Sequence, residues 1–199
     1  MDRAGLYTRL QDRPTDATGA KAFDEALEAE LSQTVAILVT DLSGFTRLTR
    51  KHGIVHFLSI FQRAVRLASN QIANYGGHFL KTAADNTLAI FSDPVAALAA
   101  ARAMFADAVE HNAGYPEDAQ VRLCAGIGYG EMLIMDDEAF GDDLNVAFKL
   151  GEDVAEPFEI LISESAVTYL RAHGIDEDQL DGPRSEVLGG VDLVHYAAR

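Results

Sequence analysis

The sequence predicts an α+β domain whose core follows the order strand, helix, strand, strand, helix, strand. The unbroken apolar run at residues 35–39, bounded by turn residues, indicates a buried strand. Apolar residues at helical spacing over 54–75 predict a one-sided helix, and two short strand-like runs joined through Asp85 and Asn86 predict a hairpin. This order is the ferredoxin-like βαββαβ arrangement, an antiparallel sheet with helices on one face.

The composition limits the classes of partner. The 199 residues are 48% hydrophobic, enough to bury one core. A net charge of −15 argues against nucleic-acid and membrane partners, which need Lys and Arg, although a local nest of donors and a metal can still bind a triphosphate. The single cysteine, Cys124, fits a reducing cytosol, and no apolar stretch approaches the roughly 18 residues of a membrane span. We therefore expect a cytoplasmic protein.

The first residues differ in character from the rest of the chain. Residues 1–20 are polar without a sustained period, which predicts a flexible N-terminal tail. Phe23, Leu27 and Leu31 then recur at helical spacing and predict an N-terminal helix over 21–32. The domain proper is expected to span 33–199.

The remaining elements follow in order. Gly76 and Gly77 end the long helix, and Asp93 followed by Pro94 begins the next one with a cap and an N1 proline. The patterns predict strands at 78–82, 87–91, 121–127, 131–135 and 159–162, helices at 142–153 and 164–171, and a terminal hairpin over 185–196 that is broken at Gly189 and Gly190.

Two carboxylates are expected to converge on this fold. The first strand lies in the middle of the sheet beside the hairpin, so Asp41 at its end comes close to Asp85 at the hairpin tip. The loop after Asp41 can point backbone N–H groups at an anion. Such a pair suits two Mg²⁺ or Mn²⁺ ions and in-line displacement at phosphorus. The alternative is that Asp85 only stabilises its β-turn and that Asp41 only caps the helix that follows it.

Four blocks of sequence resemble the successive signature segments of the class III nucleotide cyclase catalytic domain, the adenylyl and guanylyl cyclase fold, which is polymerase-palm-like. The resemblance covers about residues 33–196, in the family's order. The blocks read VAILVTDLSGFT, GGHFLKTAADNTLAIF, RLCAGIGYGEML and FGDDLNVAFKLGEDVAEPFEILISESA.

The resemblance implies roles for the first half of the site. Asp41 and Asp85 would bind the two metals, and the backbone of the phosphate loop, defined as Leu42, Ser43, Gly44, Phe45 and Thr46, would contact the triphosphate. The implied reaction is attack of the ribose 3′-hydroxyl on the α-phosphate with release of pyrophosphate. Family sites form between two subunits, so the resemblance also implies a homodimer.

The resemblance assigns the other half of the site to the second subunit. Asn145 matches the asparagine that orients the ribose, and Lys149, four residues on, stands where the family usually has an arginine for the transition state. Lysine keeps the charge but loses the planar fork, so weaker catalysis is expected, unless Lys149 is only an exposed helix residue.

The resemblance also assigns base selection to the second subunit, through Lys81 and Glu138. Lys81 matches the base-reading lysine of adenylyl cyclases, and Glu138 falls where those enzymes often have aspartate. A lysine and a carboxylate complement the N1 acceptor and the N6 donors of adenine, which predicts ATP over GTP. The alternative for Glu138 is a solvated acid in an acidic loop.

Three departures from the family pattern count against an ordinary cyclase. Ala84 replaces the usual glycine before Asp85, which would stiffen or move the second metal ligand. The short segment 131–141 contains no arginine and residues 187–190 contain no base, and the loss of these cationic contacts favours weaker triphosphate binding. Because Asp41, Asp85, Lys81 and Asn145 occur together in register, the leading prediction is still a homodimeric cyclase that converts ATP to 3′,5′-cyclic AMP. The alternatives are a degenerate nucleotide-binding or regulatory dimerisation module, and cyclisation of another nucleotide.

Overall fold

The computed structural model describes residues 1–188 and 190–199, in which eight strands form one sheet of order β2-β3-β1-β4-β6-β8-β7, with β5 paired to β4. The strands are β1 (Ser32–Leu42), β2 (His78–Ala83), β3 (Asn86–Phe91), β4 (Leu123–Ile134), β5 (Ala139–Phe140), β6 (Ile160–Ser163), β7 (Leu180–Leu188) and β8 (Val191–Ala198). The α-helices are α1 (Arg3–Leu10), α2 (Ala17–Leu31), α3 (Phe45–His52), α4 (Ile54–Asn74), α5 (Pro94–Asn112), α6 (Asp142–Phe148) and α7 (Glu164–Ala172).

The predicted ferredoxin-like core is confirmed. Strand β1 lies between β3 and β4 and pairs antiparallel with both. Alternate residues of β1 point to opposite faces, as a pleated strand requires. Ala36 and Leu38 pack in the core formed with α4, α5 and α7, whereas Ile37 and Val39 pack with residues of α6 on the other face. The two core helices, α4 and α5, therefore share one face of the sheet.

The glycines of β4 let α6 lie directly on the sheet. A Cβ atom at Gly126 would lie 2.1 Å from the carbonyl oxygen of Ala147, and one at Gly128 would lie 2.2 Å from that of Asp143. No side chain fits in such a space. Strand β4 also runs without interruption through Leu123–Ile134, where the sequence predicted two strands, because these glycines keep strand geometry under the helix.

The helix predicted at 142–153 changes its winding part-way. It is an α-helix over Asp142–Phe148 and a π-helix over Lys149–Val154. A π-turn holds an extra residue and rotates the following side chains, and such turns are frequent at functional sites. The periodicity of the sequence does not reveal this change, because it affects a single turn.

The N-terminal segment differs from the expected flexible tail, since it folds as α1 and an α2 that begins four residues earlier than predicted. Asp2 and Asp16 cap these helices by accepting hydrogen bonds from the backbone N–H groups of Gly5, at 2.9 Å, and Gly19, at 2.8 Å. Leu6 is 3% exposed and packs in a small core, the N-terminal core, with Leu27, Leu31 and Met135. Two helix caps and the buried side chain of Leu6 therefore give this polar segment a defined helical structure.

Two further observations complete the fold. The terminal hairpin, β7 and β8, is longer than predicted, and of the two glycines expected to break it Gly189 lies outside the described residues. Among the helices that the structure describes, none is both long and apolar enough to cross a bilayer.

Candidate active site

The structure brings Asp41 and Asp85 to one cavity. Thr40 of β1 lies opposite Thr87 of β3, and their hydroxyl oxygens are 2.5 Å apart. Asp41 follows Thr40, and Asp85 lies in the β2–β3 turn just before β3. Both residues line a cavity of about 500 Å³, which we call the carboxylate cavity. The order of strands in the sheet thus produces the predicted juxtaposition.

The environment of Asp41 disfavours its charged form. Burial raises the pKa of Asp41 to about 7, and the charges of Asp85 and Glu152 add to this effect, while a hydrogen bond from the backbone of Leu42 opposes it. Mutual repulsion of this kind is relieved when a cation lies between the carboxylates. Deprotonation of Asp41 is therefore coupled to the arrival of a positive charge.

The carboxylates fit a divalent metal only if other ligands complete its shell. No group of three or more His, Cys, Asp or Glu side chains in residues 1–188 and 190–199 is arranged to hold a metal ion. Mg²⁺ commonly binds through one or two carboxylates together with substrate phosphates and water. The pair Asp41 and Asp85, beside a cavity open to such ligands, is consistent with that mode.

The phosphate loop places backbone donors at the carboxylate cavity. Gly44 has φ of +100° and begins α3 without a side-chain cap, and the first backbone bond of this helix runs from Leu48 N–H to the Gly44 carbonyl at 2.9 Å. The N–H groups of Phe45 and Thr46 therefore have no partner within the helix. The Leu42 side chain is 1% exposed and belongs to the core, and the Ser43 N–H already donates to the Arg122 carbonyl.

Three further residues line the same cavity and were not predicted from the sequence. Arg47 lies in the first turn of α3, and Glu152 and Asp153 come from the π-helix. The position of Arg47 just after the phosphate loop was the available signal. The sequence gives no comparable signal for Glu152 and Asp153, because the π-turn changes which side chains point towards β1.

Asn145 and Lys149 lie together at a second cavity of about 630 Å³, which we call the asparagine cavity. They are four residues apart on α6 and at the start of the π-helix. The Lys149 ammonium is 4.0 Å from the carboxylate of Asp153. Glu152 and Asp153 line both cavities, so the two halves of the predicted machinery are neighbours within one chain.

Lys81 and Glu138 form an ion pair, which we call the base-end pair. The Lys81 ammonium donates to Glu138 Oε1 at 2.6 Å, and the Ala139 N–H donates to the same oxygen at 3.3 Å. The guanidinium of Arg3, from α1, lies 3.4 Å from Glu138 Oε2. Glu138 is 6% exposed, so it is not a solvated acid. Neither residue of the pair lines the carboxylate or the asparagine cavity.

Comparison with known proteins shows that this fold is shared with nucleotide cyclases of known structure. Over 84% of its length the chain superposes on the adenylate/guanylate cyclase/hydrolase of Silicibacter pomeroyi, covering 96% of that structure, with a TM-score of 0.70 and 23% identity. The adenylyl cyclase CyaB of P. aeruginosa matches with a TM-score of 0.68 and 21% identity, over 84% of this chain and 95% of that one. The chain has the class III nucleotide cyclase fold.

Sequence comparison agrees with this fold. No family model matches the chain. A protein of Rhizobium meliloti (strain 1021) named "Putative adenylate cyclase 3" is 28% identical over 171 residues, which is 85% of this chain. The chain spans only 29% of the length of that relative. Because the structural neighbours bear both adenylyl and guanylyl names at low identity, the cyclase fold alone does not select a base.

Proposed function

We propose that the protein is a nucleotide cyclase that converts ATP to 3′,5′-cyclic AMP and pyrophosphate. The observation that carries the proposal is the meeting of Asp41 and Asp85 at one cavity, beside the unpaired N–H groups of the phosphate loop. Carboxylates for cations and backbone donors for anions are the two needs of a metal-bound triphosphate. The names of the proteins with the same fold support a nucleotide cyclase reaction in general, and the choice of ATP rests on Lys81 and Glu138.

Asp41 and Asp85 would hold two Mg²⁺ or Mn²⁺ ions. When bound, such ions activate the attacking ribose oxygen and neutralise charge on the leaving pyrophosphate. The chain contributes the rigid end of β1, which fixes Asp41, and the N–H groups of Phe45 and Thr46, which would hold phosphate oxygens. The ladder between β1 and β3 holds Thr40 opposite Thr87, so the end of β1 and the β2–β3 turn lie at the same edge of the sheet.

Asn145 and Lys149 would act in the site of the other subunit of a homodimer. The Asn145 side chain, which is exposed, would orient the ribose, and Lys149 would stabilise negative charge at the α-phosphate. Lys149 is free to do so because its contact with Asp153, at 4.0 Å between exposed groups, is weak. A lysine supplies one charge without the bidentate geometry of arginine, so we expect slow turnover.

The base-end pair would read adenine. Lys81 can donate to N1 of the base while Glu138 accepts from the N6 amino group, which is the pattern that ATP presents and GTP does not. The two side chains are already held together by their own ion pair. Adenine binding therefore requires this pair to open, so that each partner turns to the base.

A cyclisation assay tests the proposal directly. The purified protein is incubated with Mn²⁺ and with ATP, GTP, CTP or UTP in turn, and cyclic nucleotide and pyrophosphate are measured. We expect cyclic AMP from ATP, its loss in Asp41→Ala, and unchanged activity in Asp176→Ala, which removes an exposed carboxylate that lines neither cavity. Absence of any cyclic product at high protein concentration would overturn the proposal, and another cyclic product would revise the base.

A second candidate function is a nucleotide-binding or dimerisation module without turnover. It is favoured by Lys149 in place of arginine and by Ala84, which has an unfavourable φ of +54° where the family has glycine. Tight nucleotide binding without product would support this module. Turnover that Asp41→Ala abolishes would exclude it.

A further inference from the structure

The carboxylate cavity contains one cationic side chain among the residues described as lining it. Asp41, Asp85, Glu152 and Asp153 supply four carboxylates, and Arg47 supplies the positive charge. A triphosphate is highly negative and is repelled by the carboxylates of this site. The attraction of a single fixed cation there would therefore contribute strongly to triphosphate binding. Metal ions would lie at the carboxylates, whereas Arg47 lies on the side of the phosphate loop.

The guanidinium of Arg47 lies close to Gly44 of the phosphate loop. Its Nη2 atom is 3.6 Å from the position that a Cβ atom would take at Gly44. Its Nη1 atom donates to the carboxylate of Asp118 at 2.8 Å, and the described contacts give neither Nη2 nor Nε an acceptor. Part of the planar fork is therefore anchored, and the rest can donate to an anion on the loop.

Asp118 orients Arg47 without neutralising it. The same carboxylate accepts hydrogen bonds from Lys51 and from His52, the latter at 3.0 Å. Hydrogen bonds from Lys51, His52 and Arg47, in that order of effect, hold the pKa of Asp118 well below its usual range. One negative charge thus faces two permanent cations and a histidine, which leaves a positive surplus at α3.

We infer that Arg47 binds the phosphates beyond the α-phosphate of a nucleoside triphosphate, in the same subunit that supplies Asp41 and Asp85. The inference rests on the proposed function, because it assumes that the triphosphate lies on the phosphate loop. A planar guanidinium binds two phosphate oxygens at once, which a lysine cannot do. This contact would offset the lack of an arginine in 131–141 and of a basic residue in 187–190.

Binding of 3′-deoxy-ATP, which lacks the attacking hydroxyl, tests the inference without relying on turnover. Affinities of 3′-deoxy-ATP and 3′-deoxy-AMP are measured calorimetrically with Mn²⁺ for the wild type, Arg47→Gln, Arg47→Lys and the matched control Arg50→Gln. Arg50 is an exposed cation on the same helix that does not line the cavity. We expect Arg47→Gln to bind the triphosphate about tenfold more weakly or worse, Arg47→Lys to fall between, and Arg50→Gln to change little.

Binding of 3′-deoxy-AMP, which lacks the β- and γ-phosphates, distinguishes the loss of a contact with those phosphates from a general loss of structure. Affinity for 3′-deoxy-AMP is expected to be the same in Arg47→Gln and in the wild type. Equal triphosphate affinity in these two proteins, or an equal loss for both nucleotides, would overturn the role of Arg47 and leave the proposed function standing. If the wild type binds no triphosphate, the proposed function fails and the role of Arg47 fails with it.

Discussion

The two ends of the candidate site differ in whether their charges already have partners. At the carboxylate cavity, burial and then the charges of Asp85 and Glu152 raise the pKa of Asp41 to about 7. At the base-end pair, the Glu138 carboxylate is buried and holds an ammonium at 2.6 Å. The first end is destabilised without a cation, and the second is stabilised as it stands. Under the proposed function, a nucleotide with its metal ions would therefore gain binding free energy at the first end and would have to break contacts at the second.

The first prediction concerns the loss of metal ligands at the carboxylate cavity. We expect Asp41→Ala and Asp85→Ala each to lower cyclisation by at least about a hundredfold, because metal and oriented charge supply most of the catalysis in such a site. Mn²⁺ binding, followed by its paramagnetic resonance signal, should weaken in both variants and remain normal in Asp176→Ala. Unchanged Mn²⁺ binding in both alanine variants would contradict the assignment of these aspartates.

The second prediction concerns the stability supplied by the base-end pair. Lys81→Met leaves Glu138 buried without its ammonium partner, so the free energy of unfolding should fall by about 1 to 3 kcal/mol, below the range for a fully buried pair because the Lys81 side chain is 29% exposed. Urea unfolding measures this change in the free energy of unfolding. The matched control is Lys21→Met, whose exposed partner is Glu25, and it should change stability by less than about 0.5 kcal/mol.

The double variant Lys81→Met with Glu138→Leu sharpens this test. It removes both charges together, so most of the lost stability should return. If the double variant instead loses the sum of the free energies of unfolding lost by the two single variants, the two side chains act independently. That result would contradict the ion pair seen in the structure.

The third prediction is that removing a charge at the carboxylate cavity stabilises the fold, whereas removing one at the base-end pair destabilises it. The folded-state pKa of Asp41 is raised above its unfolded value near 3.8, so the folded protein loses stability as the pH rises from about 4 to about 7, and the deficit is constant above that range. Asp41→Asn removes the charge. Without metal, its melting temperature at pH 8 should exceed that of the wild type by at least about 2 °C.

The pH dependence of this difference is the control. The gain in Asp41→Asn should shrink as the pH falls towards 4, where the wild-type carboxyl is protonated in the folded state. Asp176→Asn, at an exposed carboxylate, should show no gain at either pH. A gain that is the same at both pH values would mean that the unfavourable ionisation of Asp41 in the cavity is not its cause.

The sequence allowed us to predict which strand ends form the site, but not all of the side chains that line its cavity. The apolar run that became β1 and the turn at Asp85 fixed the order of strands, and that order brings Asp41 to Asp85. Arg47, Glu152 and Asp153 were missed because lining a cavity depends on three-dimensional details. The π-turn alters side-chain direction within one turn, and the direction of a long exposed arginine depends on Asp118, some seventy residues away in the chain.

The N-terminal segment shows the same limit for another reason. Its composition is polar, so it gives no hydrophobic period, and its order depends on two aspartate caps and on Leu6 in the N-terminal core. The contact between Arg3 and Glu138 joins residues 135 positions apart, which no local pattern indicates. The resemblance predicted a role for Glu138 but not that α1 would lie against it.

The fourth and smallest effect is expected from that contact. Arg3 donates its backbone N–H to Asp137 at 3.1 Å and brings its guanidinium to 3.4 Å from Glu138. If Glu138 accepts from an adenine amino group as proposed, Arg3 would compete for this carboxylate. A partly exposed ion pair contributes up to about 1 kcal/mol. Arg3→Ala should therefore strengthen binding of 3′-deoxy-ATP by about twofold to fivefold, measured calorimetrically with Mn²⁺.

Two comparisons decide whether this effect comes from the base end. Binding of inorganic triphosphate, which has no base, should be the same in Arg3→Ala and in the wild type. Arg9→Ala removes an arginine from the same helix that pairs with Glu30 instead of Glu138, and it should leave nucleotide affinity unchanged. If Arg3→Ala binds the nucleotide no more tightly, Arg3 does not compete with the base.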